Sequence, residues 1–330
     1  VTTVLRVTAD RPEPDLIANA AACLRRGGLV AFPTETVYGL GVAALDAAAV
    51  RRLFAAKGRP AEDPLIVHVA SLDGLAPLVS LRPALVEALA ARFWPGPLTL
   101  VLRRSTLVPD EVTAGLETVA VRVPAHPVAR ALLAAASVPV AAPSANLFSR
   151  PSPTRAAHVL QDLDGRIDMV IDGGPTQVGV ESTVLDLSGD VPEVLRPGAV
   201  TIEMLRPLVP GVRARTVAAG SGPQRSPGLL TRHYSPRAPL TLFEGPAERV
   251  RARIQHDLEV ARAAGRRVGV LEPDDDPAVT AAGLYAALRD FDADGVDEIF
   301  ARLPAATDGL SQAIADRLRR AAAGRVVSCA

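Results

Sequence analysis

At 330 residues the chain exceeds one ordinary core, and with 48% hydrophobic residues it has material for two. Its 36 basic and 36 acidic residues cancel, which excludes a large electrostatic footprint for nucleic acid or an anionic membrane but leaves room for a small basic pocket. The two cysteines, Cys23 and Cys329, make neither a disulfide framework nor a metal-ligand spacing, and no secretory leader or bilayer-length apolar run is visible, so a soluble protein of a reducing cytoplasm is expected.

In chain order, early prolines and acids and a Gly27-Gly28 stop predict a helix over 12–26. Residues 29–32 read as a buried strand ending at Pro33. Asp46 is placed to cap a helix that runs to Lys57 and stops at Gly58. A strand over 65–69 follows, then a helix over 82–93 ending at Trp94-Pro95-Gly96-Pro97. Strands over 98–102 and 119–123, a helix over 127–136 and a strand over 138–142 come next. Strands over 169–172 and 183–187 and a short helix near 201–208 complete this part. Several connections are too short for parallel crossovers, so a mixed α/β sheet with flanking helices is predicted. Residues 218–239 are rich in Gly, Ser, Pro and Arg and read as a linker. A strand over 240–243, a helix ending near 264, a strand over 268–271 and helices over 281–289 and 310–323 predict a second, small α/β unit. The expected division is therefore 1–209, a linker or lid over 210–239, and 240–330.

Lys57 is the only lysine among the 36 basic residues. It reads either as a leftover surface lysine or as a point charge that arginine's planar fork cannot replace. Gly58 breaks the helix between Lys57 and Arg59, which lets both converge on one anion. Two neighbouring cations with no acidic partner suit a polyphosphate. No G-x-x-x-x-G-K-[ST] loop is present, so a nucleotide must be held another way.

Other polar residues collect where strands end. Thr34, Thr36 and Tyr38 follow Pro33 and precede Gly39 and Gly41, which let the backbone approach a ligand. His68 sits on an apolar strand, where a core or edge histidine is the common reading. Arg122 interrupts a buried strand and needs a partner, either a ligand carboxylate or an Asp or Glu. Ser144 and Asn146 bracket a turn, Gly179-Val180-Glu181-Ser182-Thr183 precedes a strand, and Leu195-Arg196-Pro197-Gly198 ends one. With no Cys/His pair, metal cluster or nucleophilic serine motif, the pattern favours positioning and electrostatics over covalent catalysis.

Pro33-Thr34-Glu35-Thr36-Val37-Tyr38-Gly39-Leu40, Lys57-Gly58-Arg59-Pro60, Trp94-Pro95-Gly96-Pro97-Leu98-Thr99, Ala142-Pro143-Ser144-Ala145-Asn146 and Gly179-Val180-Glu181-Ser182-Thr183 together resemble the Sua5/YrdC/YwlC family over residues 12–207. Lys57 and Arg59 fall on one half of that family's K-x-R…S-x-N signature, Ser144 and Asn146 on the other. Ser226-Pro227-Gly228 and His233-Tyr234-Ser235-Pro236 are similar to the linker of the two-domain Sua5 type. The resemblance implies a YrdC-like catalytic domain followed by a small Rossmann-like domain. It implies an L-threonylcarbamoyladenylate synthase, which joins L-threonine, bicarbonate and ATP, with Mg2+ accompanying the ATP, into threonylcarbamoyl-AMP and pyrophosphate. That product serves t6A modification at tRNA position 37 through downstream threonylcarbamoyl transferase proteins.

By the same resemblance Lys57 and Arg59 act on the triphosphate. Thr118, Ser144, Asn146, Ser152, Arg196 and Tyr234 join them in binding ATP. Thr36, His68, Arg122 and Ser182 hold threonine, with Tyr38 a pocket wall; no side chain is identified as a metal ligand. The segment carrying His233 and Tyr234 is expected to act as a lid that excludes water. Glu35 and Glu181 are candidate general bases. A hydrogenase-maturation carbamoyltransferase would bring zinc-finger cysteines that this chain lacks. Direct RNA binding finds no support in a chain of zero net charge without an aromatic-basic signature.

Overall fold

Short apolar runs punctuated by glycine and proline become short strands, and longer alanine-rich runs become helices. In the computed structural model these are β1 (Thr3–Arg6), α1 (Pro14–Arg25), β2 (Val30–Pro33), β3 (Tyr38–Ala43), α2 (Ala47–Lys57), β4 (Ile66–His68), α3 (Leu85–Phe93), β5 (Leu98–Arg103), α4 (Asp110–Thr113), β6 (Thr118–Arg122), α5 (Pro127–Ala136), β7 (Val140–Ala141), α6 (Ala156–Leu163), β8 (Met169–Asp172), β9 (Thr183–Asp186), β10 (Glu193–Arg196), α7 (Ile202–Leu205) and β11 (Arg213–Ala214). Beyond them lie β12 (Leu240–Glu244), α8 (Ala247–Ala263), β13 (Val268–Leu271), α9 (Pro277–Asp294), β14 (Glu298–Arg302), α10 (Gly309–Ala322) and β15 (Val326–Ser328). The structure describes residues 1–80, 83–215, 225–226, 233–306 and 308–329. The expected helix start at Arg82 and half of the expected 210–239 linker, including Pro227 and Gly228, lie outside the described residues.

Strands β1 to β11 form one eleven-stranded sheet, ordered β1-β8-β2-β3-β7-β4-β6-β5-β9-β10-β11. Parallel pairs such as β4/β6 and β5/β9 sit among antiparallel ones such as β2/β3 and β5/β6, so the sheet is mixed, as predicted. Its last strand, β11, falls inside the segment read as linker. Strands β12 to β15 form a separate, all-parallel sheet ordered β13-β14-β12-β15, covered by helices.

Alanine sets how closely the helices lie. Ala20 and Ala21 of α1 and Ala129 and Ala136 of α5 are fully buried, in one cluster with Val30 and Phe32 of β2. A second cluster fills the other side, with Val50 and Leu53 of α2, Leu89 of α3 and Val159 and Leu163 of α6 against Leu40, Val67, Leu100 and Val121. At about 25 cal/mol per Å2, each such leucine or valine contributes roughly 1.5–3 kcal/mol on leaving water.

Several elements escaped the sequence reading. β3 reads as a Thr/Gly turn because Gly39 and Gly41 interrupt it, yet it is a buried central strand. A Cβ on Gly41 would stand 2.8 Å from both Phe32 Cε1 and Val140 Cγ1, so glycine here admits the neighbouring strands' side chains. α6, β1, β14 and β15 were likewise not predicted; the three strands are too short for a period to show.

Candidate active site

Helix α2 begins where Asp46 accepts from the N–H groups of Ala48 and Ala49 and ends at Gly58 in a left-handed turn. Its last residue, Lys57, is only 2% exposed. The ammonium donates to the carbonyl oxygens of Ser144, at 2.6 Å, and Asn146. Phe148 N–H returns a bond to the Lys57 carbonyl at 2.9 Å. The two halves of the K-x-R…S-x-N pattern are thus fastened to each other. Burial, and next the charge of Arg59, push the lysine well below its usual pKa.

Arg59 leaves the helix beyond Gly58. It donates to the carbonyls of Asp63 (3.1 Å) and Pro64 (2.8 Å) and pairs with the Asp63 carboxylate at 2.9 Å. Of the two readings of Lys57, the surface lysine is ruled out by its burial. One expectation is corrected here: the pair of cations does have an acidic partner, Asp63, four residues beyond Arg59.

In the connection between β2 and β3, Thr34 Oγ1 donates to Val37 O at 2.6 Å and accepts from the N–H groups of Thr36 and Val37. That leaves the Thr36 hydroxyl to donate to Thr34 Oγ1 (2.8 Å) while accepting from Arg122 at 3.1 Å. Arg122 also donates to Gly96 O at 3.2 Å and pairs with Glu35 at 2.7 Å, so a protein carboxylate answers its burial. Glu35 accepts from Ala125 N–H as well. His68 lies beside Arg122 in the β4/β6 register, with Phe32 edge-on at 6.4 Å. Burial, reinforced by Arg122, lowers its pKa to about 3, so it is neutral at physiological pH. Its Nδ1 has no partner among the described residues.

Ser182 precedes β9, and its hydroxyl lies 2.7 Å from that of Thr99. Arg196, at the end of β10, donates to the Ser182 carbonyl at 3.1 Å and hydroxyl at 3.2 Å. Glu181 accepts from Ser152 Oγ (2.5 Å), Tyr285 OH (3.0 Å) and Arg317 Nε (2.8 Å). Burial alone would raise its pKa; Arg317, Arg196 and the Ser152 bond prevail and hold it at about 2. Both carboxylates weighed as general bases are therefore committed to arginines.

These elements surround one cleft. Of the residues that the resemblance assigns to ATP or threonine, Thr36, Arg59, His68, Arg122, Ser144, Ser182, Arg196 and Tyr234 line it. The other five stand elsewhere. Lys57 and Asn146 lie buried behind the Ser144 turn, and Ser152 is buried on Glu181. Tyr38 sits in the core with its hydroxyl on Gly174 O at 2.6 Å, outside the lining. Thr118 is at the end of β6 opposite to Arg122. His233 and Tyr234 close one side with their rings 4.1 Å apart, and burial keeps His233 neutral, lowering it to about 3. Sequence reasoning missed Tyr285 and Arg317, which lie more than 100 residues from the motif they touch. Asp63 was missed as well: it stands four residues beyond Arg59 but past the end of α2, where that spacing carries no helical signal.

Residues 22–198 match the Sua5_yciO_yrdC family model, described as "Telomere recombination", and residues 200–323 match Sua5_C, "Threonylcarbamoyl-AMP synthase, C-terminal domain". The chain is 47% identical over 333 residues to the threonylcarbamoyl-AMP synthase of Bacillus subtilis, covering 94% of each chain. It is 44% identical over 338 residues to that of Pyrococcus abyssi, covering 98% of this chain and 99% of the relative. The crystal structure of P. abyssi Sua5 complexed with L-threonine superposes with a TM-score of 0.94 at 43% identity, over 99% of both chains. Motifs, paired sheets and full-length likeness agree: the chain belongs to the Sua5/YrdC family, in its two-domain Sua5 form.

Proposed function

We propose that this cleft forms threonylcarbamoyl-AMP and pyrophosphate from L-threonine, bicarbonate and ATP. The observation that carries the reading is that three arginines, Arg59, Arg122 and Arg196, line one cleft together with Thr36, Ser144 and Ser182. An acidic triphosphate and an amino-acid carboxylate are the ligands such a wall recognises. Threonine is assigned to Thr36, His68, Arg122 and Ser182. Arg122 uses three of its five N–H groups on Gly96, Thr36 and Glu35 among the described residues, and the remaining one on each terminal nitrogen is assigned to the substrate carboxylate. The triphosphate is assigned to Arg59 and to the Ser144–Asn146 turn that Lys57 braces, with Ser152, Arg196 and Tyr234 beside it. Thr118 is assigned to the distal part of the nucleotide, and Tyr38 to support of the threonine loop from behind.

The threonine amine and bicarbonate give a carbamate and water. A carbamate oxygen attacks the α-phosphorus in line, and pyrophosphate leaves. The charge on the leaving pyrophosphate would be neutralised by Arg59 together with the Mg2+ that accompanies ATP. Among the described residues no three His, Cys, Asp or Glu side chains gather, and Glu35 and Glu181 are committed to arginines, so the cation is read as arriving with the nucleotide. The carbamate and the mixed anhydride both decompose in water, which gives the closure by His233 and Tyr234 a purpose. No helix among the described residues is long and apolar enough to cross a membrane. We place the enzyme in the cytoplasm, passing its product to threonylcarbamoyl transferase proteins that modify tRNA.

The test is pyrophosphate release from ATP by the purified protein with bicarbonate and Mg2+. L-threonine is expected to drive release well above L-serine or no amino acid. Release indifferent to threonine overturns the reading.

A further inference from the structure

Two side chains of the C-terminal domain reach the wall of the cleft. Arg317, on α10, is wholly buried; it donates to Glu181 Oε2 at 2.8 Å and to Pro197 O at 3.1 Å, and its Cζ lies 5.3 Å over the Tyr234 ring. Tyr285, on α9, donates its hydroxyl between the two Glu181 oxygens, at 3.0 and 3.1 Å, and stacks on Tyr234 with ring centroids 5.5 Å apart. Glu181 is the residue before Ser182, and Pro197 the residue after Arg196. One guanidinium therefore spans the two loops that bring Ser182 and Arg196 to the cleft, while the same two side chains both pack against the Tyr234 ring. Tyr234 has φ 62°, a region that a bulky residue holds only when its surroundings over-determine it.

A seam that needed only adhesion gains as much from apolar contact, since a buried ion pair repays little of its desolvation. Its yield is geometry: Glu181, Tyr234 and two loops fixed against one another. We propose that Arg317 and Tyr285 are positioning residues for the adenylate-forming site, so that the C-terminal domain supplies part of the active-site scaffold. The inference rests on the reading of the cleft given above and assigns a task to residues outside the signature motifs. Neither side chain needs to touch substrate. Both act through Glu181 and Tyr234, holding Ser182 and Arg196 where ligand contacts are made.

The experiment compares the full-length wild type with Arg317→Met, Tyr285→Phe and, as a control on the same helix as Arg317, Arg319→Gln, whose exposed side chain pairs with Glu244 among the described residues. Each is assayed for threonine-dependent pyrophosphate release below its melting temperature. Arg317→Met is expected to lose about 100-fold in kcat/KM for ATP, the usual scale for misplacing a site by an ångström. Tyr285→Phe, which keeps the stacking and deletes only a hydroxyl, is expected to lose less, roughly 10-fold, the scale of one hydrogen bond to a charged group, with a melting temperature lowered less than that of Arg317→Met. Arg319→Gln is expected to leave both constants as they are.

A pH profile separates positioning from adhesion. Glu181 is faced by Arg317 and Tyr285 from the C-terminal domain, by Arg196 and Ser152 from the catalytic domain, and by His233 and Tyr234 between them. In the wild type its carboxyl titrates near 2, below the working range. Without Arg317, burial acts with less opposition and the carboxyl rises, so the acid limb of kcat/KM moves upward in pH. If the wild type is active while folded Arg317→Met and Tyr285→Phe keep its constants and its acid limb, the positioning role is overturned and the contacts are adhesion only. A wild type that releases no pyrophosphate with threonine overturns instead the reading on which this inference rests.

Discussion

The lone lysine shows how a residue's identity follows from the space around its charge. A lysine ammonium ends in one nitrogen, and here that nitrogen fits between two carbonyl oxygens on a turn nearly ninety residues away. A guanidinium is broader and planar, and would have to open the turn that carries Ser144 and Asn146. Overfilling a packed interior of this kind costs about 1–3 kcal/mol. Lys57→Arg is therefore expected to melt at a lower temperature and to lose most of its threonine-dependent pyrophosphate release, although it preserves the charge. Denaturant titration alongside the release assay checks both parts. Wild-type stability and activity in Lys57→Arg would show that the arginine-rich composition, and no steric demand, left this position alone. The sequence exposed the oddity of the lysine but not its cause, because the carbonyls it serves belong to a distant turn.

Single elements then carry these residues to the cleft. α2 is bounded by two local signals readable in the chain, Asp46 at its start and Gly58 at its end, and both act as the sequence suggested. Asp46 satisfies two N–H groups that the first turn leaves open. Asp46→Ala is expected to cost about 1 kcal/mol, the usual value of an N-cap, measured by urea denaturation. It should leave the Michaelis constants unchanged, because the far end of the helix is anchored independently by the bonds between Lys57 and the Ser144–Phe148 segment. A change in threonine KM would mean that fraying at the start is felt at the site. Legibility follows the same division. Elements with caps or long apolar periods were predicted close to their observed bounds, as for α1, α2, α5 and the strand over 169–172. Elements defined by partners were not. β3 was hidden by Gly39 and Gly41, the second required by Phe32 and Val140, and β14 and β15 have meaning only beside the strands they pair with. Site residues at strand ends emerged because hydroxyls and arginines stand out there; their real partners, Glu35 for Arg122 and Asp63 for Arg59, required the folded chain.

At the scale of the whole molecule, the motif at 179–183 serves two masters. Ser182 faces the cleft, but Gly179 lies against the backbone of α9: a Cβ there would stand 2.2 Å from Ala281 O and 2.4 Å from Ala282 Cα, at φ +77°. Val180 is buried in one cluster with Leu284 and Tyr285, and Val37 of the threonine loop joins the same cluster. What reads as a ligand motif is thus in part the seat of the second domain. Gly179→Ala meets main-chain atoms with no rotamer to yield, and a left-handed backbone that adds about 1–2 kcal/mol of its own. It is expected to push α9 outward, lengthen the bonds from Tyr285 to Glu181, lower the melting temperature and split one unfolding transition into two, with pyrophosphate release falling although no residue lining the cleft has changed. Gly283→Ala provides the opposite sign on the same helix: nothing lies within 4 Å of a Cβ there, and alanine is favoured in a helix interior by about 0.5–1 kcal/mol. Calorimetry and the release assay on the two variants separate close contact at the seam from any general sensitivity of α9. A single, unshifted transition in Gly179→Ala would mean that the domains tolerate a gap at their seam and that the cleft does not depend on how tightly they are joined.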